Sequence, residues 1–136
     1  MFIRFFLLWI IATAGIVVLD SAWLGFIMRD FYAAETVGLI SFPLSLSIDR
    51  IAAALGVWGL IALGSLIFVM PHKISLAKAL VRGGTFGFIT YGIYDLTNKA
   101  LFTTWGWKLV TADILWGIVL NAFCAGIIYI TYKKIK

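Results

Sequence analysis

The stretch IAAALGVWGLIALGSLIFVM, residues 51–70, contains no charged side chain. A helix needs about 20 apolar residues to cross the hydrocarbon core of a bilayer, and this stretch has that length. Pro71 follows it, and proline ends a helix because it has no backbone N–H to donate. The stretch therefore predicts a membrane-spanning helix.

The whole chain shares this apolar character. Of its 136 residues, 63% are hydrophobic and 12% are charged, and the mean hydropathy is +1.07. A soluble domain has about 25% charged residues, so the composition predicts an integral membrane protein whose partner is the lipid bilayer. The length fits one domain, residues 1–136. The net charge of +5 comes from cations scattered over connections and tail, a pattern that sets membrane topology and does not indicate a nucleic-acid partner.

Three more segments are long and apolar enough to span a bilayer: residues 5–27, 79–98 and 109–132. Backbone polar groups in lipid must be hydrogen-bonded within the segment, so each span is predicted to be a helix. The predicted fold class is an all-α integral membrane protein, a bundle of four transmembrane helices. The tripeptide ATA (12–14) resembles a signal-peptidase site, but the apolar run continues beyond it, so we expect an uncleaved first span.

Lys and Arg residues divide unequally between the two sides of this bundle. Cytoplasmic connections carry the excess of Lys and Arg, so both the N terminus and the C terminus are predicted to be cytoplasmic, in a bacterial inner membrane. The seven cations on the predicted cytoplasmic side are Arg4, Lys73, Lys78, Arg82, Lys133, Lys134 and Lys136, and the four on the other side are Arg29, Arg50, Lys99 and Lys108.

Two connections lie on the predicted outer side. The longer one, residues 28–50, is expected to hold a short interfacial helix before Pro43, with Phe31 and Tyr32 at the level of the lipid headgroups. In the shorter one, residues 99–108, Trp105 and Trp107 are expected to anchor the chain at the headgroups.

Two related motifs place an aspartate inside an apolar segment. LDSAWLG (19–25) and ADILWG (112–117) both have a tryptophan three residues after an aspartate, at Asp20 and Asp113. Residues three apart share a helical face. Each motif thus offers a carboxyl group and an indole N–H donor on one side of its helix.

The alternating direction of the spans brings the acids together. Asp20 and Asp95 are late in the first and third spans, Asp113 is early in the fourth, and Asp49 precedes the second, so all four approach the outer leaflet. An ionised aspartate at a helix centre costs about 2.5–3.5 kcal/mol. We therefore expect the acids inside the spans to face the bundle interior, a wet cavity or a partner, or to be protonated.

A polar cluster is predicted under the outer surface. Interhelical hydrogen bonding alone explains such residues in some membrane proteins, so the cluster is either a site for a ligand, ion or proton, or a structural network. Lys99, four residues after Asp95, is within reach of pairing with it, and Asn121 is expected to join two helices. The predicted cluster consists of Asp20, Trp23, Tyr91, Tyr94, Asp95, Asn98, Asp113 and Trp116.

Several familiar catalytic motifs are missing from the sequence. It has one histidine, His72, and one cysteine, Cys124, which excludes an intramolecular disulfide, a cysteine-based metal cluster and a histidine-box metal enzyme. It has no phosphate-binding P-loop and no nucleophile elbow. No catalytic residue, metal site or cofactor is assigned.

The motifs together resemble the bacterial membrane-protein family called domain of unknown function 2177, over nearly the whole chain. The resemblance implies a small multi-span membrane protein in which the matching residues matter, and it names no substrate. These residues are Asp20, Trp23, Leu24 and Gly25, then Tyr94, Asp95, Leu96, Thr97 and Asn98, and finally Asp113, Trp116 and Gly117.

The leading functional hypothesis is a small transport or ligand-binding membrane protein. Asp95 and Asp113 would be its principal polar groups, with Asp20 supporting them and with Trp23 and Trp116 as walls. Four helices are few for a complete solute pathway, so a transporter of this kind is expected to be a homodimer. The alternatives are a membrane enzyme or enzyme accessory that acts on lipids, and a structural membrane scaffold.

Overall fold

The computed structural model describes residues 2–40, 47–69 and 74–135. Helices form almost all of this part of the chain, and no β-strand occurs in it. The all-helical prediction is thus confirmed. The helices are α1 (Phe2–Ala22), continued by a π-helix (Trp23–Ile27), then α2 (Arg29–Glu35), α3 (Ile48–Val69), α4 (Leu76–Leu101) and α5 (Trp107–Lys134).

Within the described part of the chain, three helical segments are long and apolar enough to cross a membrane. They are α1 with its π-helix, α3 and α5, with mean hydropathies of 2.4, 2.2 and 2.0. Large apolar side chains such as Phe26 (86% exposed) and Leu60 (69% exposed) point away from the bundle, as expected where the surrounding solvent is lipid. The third predicted span corresponds to α4, which has 26 residues, but Arg82 and Asp95 make it less apolar than the other three.

Some residues named in the sequence analysis lie outside the described part of the chain. They are Pro43, Met70, Pro71, His72, Lys73 and Lys136.

Helices α4 and α5 pack antiparallel through small residues. A Cβ atom added to Gly87 would overlap the carbonyl oxygen of Gly117, and one added to Gly83 would overlap the backbone of Asn121. Glycines four residues apart leave a shallow groove, so two helix backbones approach closely. This contact fixes how far α4 is shifted along α5, with Gly87 beside Gly117.

A polar link crosses the apolar core in the middle of the bundle. Ser65 of α3 donates a hydrogen bond to Oδ1 of Asn121 at 2.9 Å, and the Asn121 amide donates to the carbonyl of Gly117 at 2.9 Å. Both side chains are fully buried. Asn121 therefore joins α3 to α5, as predicted. Around it, α1, α3, α4 and α5 contribute a continuous core that includes Leu8, Ile16, Leu66, Ala79, Leu120 and Ile128.

The connection after α1 folds back onto the bundle. The π-helix ends where the Met28 amide donates to the Trp23 carbonyl, and α2 begins at the next residue. A short helix is therefore present before Pro43, as predicted. Tyr32 of α2 is only 7% exposed and packs with Trp105 and Leu109 in a second apolar cluster. Tyr32 thus packs against the protein and does not face the surrounding lipid; its predicted level at the headgroups stays a prediction.

Candidate functional site

Asp20, in the last turn of α1, is held by two tryptophans from other helices. Trp116 of α5 donates its indole N–H to Oδ1 at 2.8 Å, and Trp58 of α3 donates to Oδ2 at 2.8 Å. The residue is 7% exposed. Asp20 therefore connects α1, α3 and α5 through hydrogen bonds that both of its oxygens accept.

Trp23 and Trp116, the two predicted walls, lie against each other. Their rings are parallel within 2° and their centroids are 4.2 Å apart. A stack this close leaves no room for another planar group between the rings. The tryptophans of the two D-x-x-W motifs therefore form one packed unit and do not form two sides of an open pocket.

Tyr32 connects the stacked tryptophans to Asp113. Trp23 donates its indole N–H to the Tyr32 hydroxyl at 3.2 Å, and that hydroxyl donates to Oδ1 of Asp113. Burial, reinforced by the neighbouring Asp113 carboxyl, raises the pKa of Tyr32 above its usual range. The phenol thus stays protonated and serves as a permanent donor to Asp113.

Asp95 of α4 is the most deeply enclosed acid of the group. It has 0% exposure, and its Oδ1 accepts an indole N–H from Trp105 at 3.1 Å. Its Oδ2 has no hydrogen-bond donor among the described residues. The Asp95 carboxyl also interacts with that of Asp113. A hydrogen bond between the two would require a proton on one of them, because a carboxylate can only accept.

The remaining predicted residues lie around these acids. The Tyr91 ring packs on Gly117, where a Cβ atom would overlap it. Tyr94 is 55% exposed and meets the Trp105 ring edge-on, with centroids 5.9 Å apart. Asn98 lies one turn later, and its backbone carbonyl accepts the Phe102 amide that ends α4. None of these three side chains is among the hydrogen-bond donors to the acids, which come from Tyr32, Trp58, Trp105 and Trp116.

Two expectations about neighbouring residues were wrong. Trp105, expected at the headgroups, is 6% exposed and donates to Asp95. Lys99, expected to pair with Asp95, places its Nζ 5.9 Å from the centre of the Trp107 ring instead. The α4–α5 connection turns inward and brings Trp105 to the carboxyl, whereas Trp107 remains 63% exposed, as an anchor would be.

Trp58, which donates to Asp20, was not among the residues predicted for this group. A signal for it existed, because tryptophan favours the membrane interface and Trp58 lies near the middle of a charge-free span. No comparable signal marks Tyr32 or Trp105, since each reaches its carboxyl only through the path of a connection. Asp49, the fourth acid predicted to converge, is exposed at the start of α3 and is not part of the group.

The donors to the three acids are all neutral, and none is Lys or Arg in the described parts of the chain. We call Asp20, Asp95 and Asp113 the carboxyl cluster. Moving a charge from water to a protein interior costs several kcal/mol when no opposite charge accompanies it. Among the described residues, no group of three or more His, Cys, Asp or Glu side chains is arranged to hold a metal ion. The donors are Trp58, Trp116, Tyr32 and Trp105.

Comparison with known protein families gives a match over nearly the whole chain. The family described as predicted membrane protein, DUF2177, matches residues 5–130, which include every member of the carboxyl cluster and all of its donors. No curated protein and no solved structure matches the chain.

Proposed function

Because this chain belongs to the DUF2177 family of predicted membrane proteins, we propose that it is a membrane protein whose carboxyl cluster binds a small, positively charged ligand. The ligand class comprises the proton and small metal cations. The supporting observation is Asp95, which is fully buried and keeps one carboxyl oxygen without a donor among the described residues.

The charge of the site favours such a ligand. Asp113 interacts electrostatically with both Asp20 and Asp95, and like charges at short distance in a poorly polarisable interior repel strongly. Neutral N–H and O–H donors reduce this repulsion but do not cancel charge. Uptake of one positive charge lowers the net charge of the cluster and the cost of keeping it inside the protein.

The charges along the bundle support the proposed orientation. α4 and α5 pack antiparallel, so Lys78 at the start of α4 and Lys133 at the end of α5 lie at the end opposite Asp95 and Asp113. We propose four membrane crossings, with α4 as the third and a single domain over residues 1–136. Cation-rich ends stay in the cytoplasm, which puts both termini there and the carboxyl cluster toward the outer face of a bacterial inner membrane.

A structural role is the second candidate, and Asp20 favours it. Both of its oxygens accept indole N–H groups, at 2.8 Å each, so this carboxyl already connects three helices and has little capacity for another ligand. In this alternative the whole cluster only holds the helices together.

The dependence of the unfolding temperature on ligand concentration distinguishes the ligand-binding role from the structural role. A ligand that binds the folded chain raises its stability in proportion to the logarithm of ligand activity once binding is saturating. The full chain in detergent would be unfolded by heat across a pH series and, at fixed pH, across sodium and calcium series with ionic strength balanced by choline chloride.

Ligand binding predicts an unfolding temperature that changes with at least one of these activities. The dependence should be strongly reduced in Asp95→Asn and retained in Asp49→Asn, which makes the same chemical change at an exposed acid. A wild-type unfolding temperature that responds no differently from that of Asp95→Asn in all three series would rule out the ligand site and leave the structural role.

A further inference from the structure

We infer that the ligand of the carboxyl cluster is a single proton, shared between the Asp95 and Asp113 side chains. This inference rests on the proposed function, because it names which positively charged ligand the cluster holds. It starts from the contact between these two carboxyls and from the oxygen of Asp95 that has no donor in the described parts of the chain.

The hydrogen-bond capacity of the two carboxyls supports a shared proton. Oδ1 of Asp95 accepts from Trp105, and Oδ1 of Asp113 accepts from Tyr32. Two ionised carboxylates in contact have no hydrogen between them and repel each other. One proton converts this contact into an O–H···O bond and lowers the charge of the pair from −2 to −1.

A metal cation fits the same place less well. Hard cations take six or more oxygen ligands, whereas here indole N–H and phenol O–H groups point their hydrogens at the carboxyl oxygens. Asp20 directs neither oxygen to an added ion, because Trp58 and Trp116 occupy both. The described residues also contain no group of three or more His, Cys, Asp or Glu side chains arranged for a metal.

The titratable groups around Asp95 and Asp113 carry no positive charge that could neutralise a carboxylate. The titratable groups that interact with Asp95 and Asp113 are other acids and a phenol, and Lys99, one helical turn after Asp95, lies over the Trp107 ring. The glutamate of α2, Glu35, lies beside Gly106 at the start of α5. The groups that face the pair are Asp20 of α1, Tyr32 of α2, and Tyr91 and Tyr94 of α4.

Trp105 and Tyr32 each donate to a different carboxyl of the pair. Trp105 holds one side of Asp95, and Tyr32, itself held by Trp23, holds one side of Asp113. Each carboxyl thus has one oxygen held by a donor from a different part of the chain. Tyr32 and Trp105 are positioning residues for this site.

Infrared spectroscopy of the wild-type chain tests the inference directly. A protonated carboxyl has a C=O stretching band that shifts in D₂O, and an ionised carboxylate lacks this band. At neutral pH we expect a D₂O-sensitive band equivalent to one carboxyl per chain, in detergent or in lipid vesicles. Asp95→Asn and Asp113→Asn should each lose the band, whereas Asp49→Asn should keep it.

The outcomes distinguish this inference from the proposed function. Absence of the band, together with sodium- or calcium-dependent stabilisation that Asp95→Asn removes, overturns the shared proton and leaves the cation site. Absence of the band without any ligand-dependent stabilisation overturns both. The wild-type spectrum needs no variant, so the test remains decisive even where Asp95→Asn or Asp113→Asn fails to fold.

Discussion

The indole nitrogen of Trp116 lies 2.8 Å from Oδ1 of Asp20, a residue 96 positions away in the chain. This bond joins the aspartate of the first D-x-x-W motif to the tryptophan of the second. The tryptophan of the first motif, Trp23, stacks on the same Trp116 ring. The two motifs are therefore one structural unit that ties the end of α1 to the start of α5.

Removing this bond should destabilise the bundle. Trp116→Phe keeps an aromatic ring for the stack but leaves Oδ1 of Asp20 buried without its donor, which costs about 1–3 kcal/mol. Denaturant unfolding in mild detergent, followed by tryptophan fluorescence and circular dichroism, would measure the loss. Trp107→Phe is the matched control, because Trp107 is 63% exposed, and it should change stability by less than the test variant. Equal effects of the two variants would show that the bond to Asp20 contributes nothing.

The close contact of α4 and α5 gives a second prediction. Gly87→Ala places a methyl group against the Gly117 carbonyl, and overpacking of this kind costs about 1–3 kcal/mol. Gly56→Ala is the control, since a Cβ atom at Gly56 meets nothing within 4 Å, and loss of a helical glycine there should stabilise by about 0.5–1 kcal/mol. Thermal unfolding of both variants should thus shift in opposite directions, and a stabilising Gly87→Ala would contradict the packing described.

Tyr32 predicts a specific loss of stability in alkali. Its pKa is raised in the folded chain, chiefly by burial, whereas an unfolded tyrosine titrates near pH 10. The unfolded state therefore releases a proton that the folded state keeps, so the stability from this group is intact below about pH 10 and declines above it. Stability measured from neutral pH to above this value should fall less steeply in Tyr32→Phe than in wild type. Parallel curves for the two proteins would contradict the burial of the phenol.

The same variant separates the hydroxyl from the ring at neutral pH. Tyr32→Phe keeps the packing of α2 against Trp105 and Leu109 but removes the donor to Asp113, and we expect a loss of about 1–3 kcal/mol. Tyr94→Phe, at a residue that is 55% exposed, should cost less. Unfolding by denaturant in the same detergent measures both, and a larger effect at Tyr94 would argue against the Tyr32–Asp113 bond.

The sequence predicted the features that depend on helix direction. Alternation of the spans placed Asp20, Asp95 and Asp113 at one end of the bundle, and the structure brings these three side chains into one group. Helix length and apolar composition gave the positions of the long helices. Each long helix, with the π-helix counted as part of α1, begins and ends within three residues of its predicted span. The differences arise because the thickness of the hydrocarbon core limits only the apolar part of a helix, and the helix itself can continue into the interface.

The sequence could not predict contacts that depend on the path of a connection. Tyr32 and Trp105 both looked like headgroup anchors because aromatic residues in connections commonly have that role. In the fold, the π-helix redirects the chain so that α2 packs back on the bundle, and the α4–α5 connection turns Trp105 inward to Asp95. The pattern of D-x-x-W likewise gave no indication that the two tryptophans stack on each other, since they belong to different helices.

Proton uptake between neutral pH and strong acid tests most directly whether the carboxyl cluster holds a proton. A carboxyl that is already protonated at neutral pH takes up no proton when the solution is acidified. If Asp95 and Asp113 share one proton, replacing either of them allows the other to ionise at neutral pH. Potentiometric titration of the full chain should therefore give Asp95→Asn the same uptake as wild type, whereas Asp49→Asn should take up one proton fewer. If both variants take up one proton fewer than wild type, Asp95 and Asp113 are both ionised at neutral pH and the shared proton does not exist.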